Sequence, residues 1–377
     1  MSVLGDVMLT RGGSVQPAEH PTELFELYSI RGHDSGGSEL VLGSTIGSGK
    51  QVVQPGDVLV SKIVPHIRRA RVVGPLQGAR QVASGEWIVF RGDTFDPGYL
   101  RQYLLSDRFH RQFMNTVAGV GGSLVRARPA HVKSIELPLP SLDEQRRIAA
   151  ILDHADALRA KLRQVLAHLD DLAQSIFHDT FGGAVWSQQL ADLAGVQIGP
   201  FGSLLHKEDY VEGGVPVLNP MHIQSGELVL DLSFSVSPEK ATALAPYALE
   251  EGDVLLGRRG EMGRAAVVGP QAAGAICGTG SIVLRPRNVD SEVLWALVSS
   301  PRMKRHLERE SLGSTLPNLN AKIVSAAPVP AVDHREQARF AHARAALRSR
   351  TALSQQAARL EDELFASLQS RAFAGEL

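Results

Sequence analysis

Only one cysteine, Cys277, stands among the 377 residues, which excludes an intrachain disulfide framework and a cysteine-rich zinc site. No apolar run approaches the roughly 20 residues that a membrane span needs. The opening MSVLGDVMLTRGG has no basic segment followed by a long apolar stretch, so no secretory signal is expected. Together these absences make a cytoplasmic location the expectation. Net charge is nearly missing too, since 39 Lys and Arg against 40 Asp and Glu leave −1. That balance argues against nonspecific coating of nucleic acid, which needs a strongly basic surface. Sequence-specific binding stays open, because basic faces can be offset by acidic segments elsewhere. Basic residues do cluster, at Lys62, Arg68, Arg69 and Arg71 and again at Arg258, Arg259 and Arg264, while acids recur between Asp143 and Asp179.

Catalytic signatures are equally scarce. GSTIGSGKQ, residues 43–51, resembles a phosphate-binding loop, but Ser44 stands where its first glycine belongs and Gln51 replaces the Ser or Thr that would hold magnesium. Asn219-Pro220-Met221-His222 resembles the Asn-Pro-Pro-Tyr motif of DNA amino-methyltransferases, without its second proline or its stacking aromatic and with no glycine-rich cofactor fingerprint upstream. It reads as a turn. The histidines show no HExxH spacing and there is no GxSxG elbow, so metal and hydrolytic chemistry have no anchor. Catalysis is expected from another chain.

What the sequence does contain is a large repeat. GDVLVSK (56–62) returns as GDVLLGR (252–258), RARVVGP (69–75) as RAAVVGP (264–270), and GEWIVFR (85–91) as TGSIVLR (279–285). YLRQYLLSDRF (99–109) is matched by VLWALVSSPRM (293–303), Glu144-Gln145 by Glu336-Gln337, and SIFHDTFGG (175–183) by SLQSRAFAG (367–375). A period of about 190 residues indicates duplication of a whole domain with its connector, not a solenoid. Each copy opens with short β-branched runs and turn signals, includes one helical stretch, and ends in a long helix after a proline-marked hinge. Ser141 with Glu144, and Asp333 with Glu336, are capping boxes that start those helices.

In the first long helix, Ile148, Ile151, Ala155, Leu158, Leu162, Val165, Leu169, Leu172 and Ile176 recur at 3,4 spacing, the pattern of a coiled-coil seam. The second carries Leu360, Leu364 and Leu368 in a less regular pattern. Packing of each helix on its own domain is the alternative. Pairing of duplicated helices is expected to be antiparallel, about a pseudo-two-fold axis. The expected fold is therefore α+β: two duplicated mixed α/β domains separated by two long helices in an antiparallel coiled coil, a dumbbell. Its expected segments are domains 1–140 and 184–330 and helical spacers 141–183 and 331–377. From Ile148 to Ile176 a helix spans ~43 Å at 1.5 Å per residue, comparable to one turn of B-DNA at about 34–36 Å, so a split target with unlike halves is expected.

The basic loops that follow each GDVL strand, SKIVPHIRRAR (61–71) and GRRGEMGRAA (257–266), are the candidate DNA contacts. Arginines pair with phosphate oxygens or read guanine O6 and N7 as a fork. Their candidate residues are Lys62, Arg68, Arg69, Arg71, Arg258, Arg259 and Arg264. Ser203 in GPFGS (199–203) and Asn318 in GSTLPNLN (313–320) join them.

The strings SLDEQRRIAAILDHADALRAKLRQ (141–164), AQSIFHDTFGG (173–183), LQSRAFAGEL (368–377) and GDVLLGRRGEMGRAAVV (252–268) resemble type I restriction-modification specificity subunits along essentially the whole chain. The resemblance implies two target-recognition domains and two conserved helical regions, with no catalysis in this chain. It also implies double-stranded DNA as ligand and two methyltransferase subunits, docked on the helical regions, that use S-adenosylmethionine to methylate adenine. Restriction subunits acting as motors with ATP and magnesium complete such a complex. The first copy departs from the second in having SKIVPHIRR where the second has the RRGEMG loop, and its opening has no evident partner for GPFGS. A coiled-coil adaptor without DNA binding and a self-contained methyltransferase are the other readings.

Overall fold

The computed structural model describes residues 2–10, 12–118, 125–224, 226–311, 318–331 and 333–377. The chain forms two compact units, Met1–Gln164 with Gln355–Leu377, and Val165–Ser354. Both follow one plan.

In the first unit, Val58–Ser61 lies between Ala70–Val72 and Trp87–Phe90 in an antiparallel sheet. In the second, Val254–Gly257 lies between Ala265–Val267 and Ser281–Pro286, and Ala194–Ile198 adds a fourth strand. The first unit reduces that fourth strand to a bridge between Met8 and Phe90. A second sheet in each unit contains one parallel pair, Leu24–Tyr28 with Arg80–Ala83 and Val215–Leu218 with Ile276–Cys277. Central strands are buried on both faces, which is why GDVLV and GDVLL read as continuous apolar runs rather than alternating ones.

The duplication extends to buried polar contacts. Asp57, 1% exposed, receives a two-pronged bond from Arg91 at 2.7 and 2.6 Å and accepts from the Gln54 N–H. Asp253 does the same with Arg285, at 3.0 Å for both prongs, and with the Glu250 N–H. Gln145 accepts from the Asp96 N–H, as Gln337 accepts from that of Asp290. These matched side chains satisfy main-chain groups at a hinge and helix start that burial would otherwise leave unpaired.

The first long helix runs Leu142–Phe181 and the second His334–Ala374. Their pairing is antiparallel. Within the first unit Arg159 bonds Asp362 at 2.6 Å, lies 4.3 Å over the Phe365 ring, and Arg147 donates to the terminal Leu377 carbonyl. Within the second, Phe177 and Phe181 pack on Phe340 with ring centroids 6.2 and 5.3 Å apart.

The seam differs from the sequence expectation. Ile148, Ala155, Leu162, Leu169 and Ile176 are covered, but the positions between them that face inward are Leu152, Arg159, Leu166 and Ala173. Ile151 is half-buried, whereas Leu158, Val165 and Leu172 are 37, 43 and 48% exposed. On the second helix Leu368 packs on the first unit's core, while Leu360 and Leu364 are exposed. An α-helix offers two 3,4 stripes sharing every seventh position. The chain turns the mixed stripe inward, where an Arg–Asp bond and an aromatic ring complete it, and leaves the more apolar stripe outside.

Candidate nucleic-acid interface

Strands Ala194–Ile198 and Val254–Gly257 both pair antiparallel with Ser281–Pro286, so both end at one edge, opposite Ile282 and Ser281. Three loops meet there: GPFGS after the first, RRGEMG after the second, and the turn Gly278–Gly280 before the third. Gly199 donates to the Ser281 carbonyl, and a Cβ on Gly199 would stand 2.0 Å from the Gly278 oxygen, so glycine is obligatory at that crossing. Asn219 Oδ1 accepts from the Gly280 N–H at 3.2 Å. The Asn-Pro-Met-His segment thus serves as a brace for the loops, with Pro220 beginning a short 3-10 turn.

Arg258 is where the basic loop is fastened. Its N–H donates to Gly280, its carbonyl accepts from Leu319, and its Nε donates to Asn318 Oδ1 at 3.0 Å and to the Leu319 carbonyl at 3.1 Å. Burial, with Arg259 beside it, lowers the pKa of this guanidinium from its ordinary value. Arg259 bridges to Asn318 through its main chain, while its side chain is exposed and makes no ion pair among the described residues. Arg264 is held by Glu261 at 3.1 Å, and Lys304 reaches the same carboxylate at 2.9 Å. Ser203 is exposed on the turn Gly202–Leu204, beside the 63% exposed Phe201. Residues 313–317 of the GSTLPNLN segment lie outside the described residues; Asn318 is at the edge with Arg258.

The first unit repeats this arrangement atom for atom on the main chain. Lys62 donates to the Glu86 carbonyl and accepts from Ala127, and Ile63 bridges to Arg126, as Arg259 does to Asn318. Residues 12 and 13, beyond the Met8 bridge, leave the sheet at the edge from which GPFGS leaves it in the other copy. Lys62 is half-buried and has no ion pair among the described residues. Val64 takes φ +49, rare for a β-branched residue and a mark of a loop whose shape its surroundings impose.

The other basic residues of this loop divide. Arg68 is bonded to Asp107 and to the Leu105 carbonyl. Arg69 is half-buried and gripped by Asp34 at 2.6 and 2.8 Å, which makes it a structural tie. Arg71 lies 5.5 Å over the Tyr28 ring. Sequence reading missed Arg126 and its partner Glu86, 3.2 Å away, because nothing local marks a bridge across 40 residues.

Residues 189–358 match the model of the type I restriction modification DNA specificity domain. A solved chain from the structural basis of complex assembly and conformational transition of the type I R-M system is 19% identical, covering 100% of this chain and 97% of its own, with a TM-score of 0.56. The S subunit of a type I restriction-modification system from M. genitalium is 14% identical, covering 98% of this chain and 94% of its own, with a TM-score of 0.63. These two likenesses establish the fold. No curated protein matches the chain.

Proposed function

We propose that the chain belongs to the type I restriction-modification specificity family, whose domain model its residues 189–358 match, that each unit reads one half of a bipartite, asymmetric DNA target and that the chain itself catalyses nothing. The observation that carries this reading is the shared edge: in both units the loop after the GDVL strand is fixed by the same main-chain bonds, at Lys62 and at Arg258. Equivalent loops on diverged copies suit one docking geometry with two different base sequences. Among the described residues of the two basic loops, Lys62 in the first unit and Arg259 in the second are cations without an ion pair and meet DNA, joined by Arg68, Arg71 and Arg126 in the first and by Ser203, Arg264 and Asn318 in the second. Arg69 and Arg258 hold the loops in shape.

The recognition domains are residues 1–140 and 184–330, joined by helical spacers 141–183 and 331–377. The exposed Leu158, Leu360 and Leu364 of the first unit, and Val165 and Leu172 of the second, each give a methyltransferase subunit apolar surface to cover. Those subunits bring S-adenosylmethionine, and a motor subunit brings ATP and magnesium. The complex works in the cytoplasm.

Salt-titrated DNA binding by the chain with its methyltransferase subunit tests the reading. A bipartite sequence is expected to be preferred, with Arg259→Ala weakening binding and relaxing choice at one base, a discrimination of about 1–3 kcal/mol for a two-pronged arginine–guanine contact. Binding with no sequence preference would leave only the adaptor.

A further inference from the structure

The loop 199–205 of the second unit is pinned at both ends and bare between them. Gly199 is locked against Gly278, Pro200 is buried, and Leu205 sits in a core with Val217, Val236, Leu244 and Ile276. Phe201, Gly202, Ser203 and Leu204 are all exposed, Phe201 by 63% and Leu204 by 44%. The Phe201 carbonyl accepts from the Leu204 N–H at 3.4 Å to close a 3-10 turn, and side chains three residues apart on such a turn lie on one side. Gly202 supplies the φ of +63 that the turn needs. An apolar pair is thus held out from the surface on a fixed stem. Burying apolar side chains is what stabilises a fold, and here a phenylalanine and a leucine are withheld from it.

The pair stands at the edge where the RRGEMG loop begins. Gly199 donates to the Ser281 carbonyl and Arg258 to that of Gly280, from opposite sides of one strand. The two loops therefore leave the sheet two strand spacings apart, about 10 Å, or about three base steps of a duplex. Loop 199–205 carries no charge, so it adds nothing to phosphate attraction. What it offers DNA is apolar contact. In the major groove, where arginine forks read guanine, the apolar group on the bases is the thymine 5-methyl.

We propose that Phe201, with Leu204 beside it, packs on the 5-methyl group of a thymine in the half-site read by the second unit, a few base pairs from the base met by Arg259. Phe201 is then a specificity-determining residue that selects one base without a hydrogen bond. This rests on the reading that the second unit reads DNA. In the first unit the described residues at the matching point are Gly12 and Gly13, which have no side chain to offer. Methyl dependence through this loop is therefore expected in one half-site only.

The test uses the full chain with the methyltransferase subunit of its own system, and duplexes in which each thymine of the bipartite motif is replaced in turn by deoxyuridine, which lacks only the methyl group. In the half assigned to residues 184–330, one replacement is expected to weaken binding by the unaltered chain about fourfold, the worth of one buried carbon group. Phe201→Ala is expected to bind the thymine duplex more weakly and to lose that thymine-to-uracil ratio, whereas Phe201→Leu keeps part of it. Because the ring is mostly exposed, both variants are expected to melt at the temperature of the unaltered chain. If no thymine in that half responds, or if Phe201→Ala keeps the ratio, the proposal falls, and a bipartite sequence preference in the same assay shows that the DNA reading stands. Loss of the methyltransferase subunit from Phe201→Ala with the ratio intact means that protein covers the pair, which also overturns the proposal. If the unaltered chain shows no sequence preference, both fall.

Discussion

At the scale of single residues, the buried pairs Asp57–Arg91 and Asp253–Arg285 fix the strand that leads into each basic loop. Removing one partner strands the other. Asp253→Asn is expected to destabilise the second unit by roughly 3 kcal/mol, seen as a lower midpoint in denaturant unfolding. A change under half that size would mean that the exposed side of Arg285 carries little of the pair's energy. His222 gives a pH dependence. Its ring is buried, its Nδ1 accepts from the Asn219 N–H, and burial lowers its pKa below the ordinary 6.5. Below about pH 6.5 the unfolded chain takes up a proton that the folded site resists, so stability falls as pH drops through that range. His222→Gln keeps an acceptor and cannot titrate, so its unfolding free energy is expected to change less between pH 7 and 5.5. An identical slope in both proteins would remove His222 from the acid response. Sequence shows basic loops but not which cations are already engaged: Arg69 is held by Asp34, 35 residues away, and Arg258 by Asn318, 60 residues away. Such long-range partners have no local signal.

At the scale of elements, the long helices were legible because capping boxes and heptads are local. Which heptad stripe faces inward was not. Both stripes of the first long helix contain Ile148, Leu162 and Ile176, and hydrophobicity favours the one through Leu158, Val165 and Leu172. Tertiary structure chooses the one through Leu152 and Arg159, because Asp362 and Phe365 on the partner helix satisfy that arginine. The apolar stripe left outside bears directly on assembly. Leu158→Gln with Leu172→Gln is expected to change chain stability by less than about 0.5 kcal/mol, as surface substitutions do, while weakening methyltransferase binding. Calorimetry of the chain alone and a binding titration separate the two effects. Loss of stability with intact binding would place these leucines in the chain's own core instead.

At the scale of the whole molecule, duplication was the most legible feature, since strings such as GDVL and R-A-x-V-V-G-P survive in both copies. The structure adds that survival follows hydrogen-bonding duty. Asp57 and Asp253, Gln145 and Gln337, and the bonds at Lys62 and Arg258 recur together, while loop sequences between them differ. Each half can therefore change its target without losing its frame. A heptad inserted after Leu162, with a matching one in the second long helix, is expected to change the permitted gap between half-sites and leave their bases alone. An unaltered gap would remove the helices as a spacer.

The most direct measurement is sequencing of methylated adenines in cells with and without this gene, and in cells where residues 184–330 are exchanged for those of another specificity subunit. Loss of a bipartite methylated motif on deletion, and replacement of only one of its halves on exchange, is the expected result. An unchanged methylome on deletion, or an exchange that alters both halves, would contradict two independent readers in one chain.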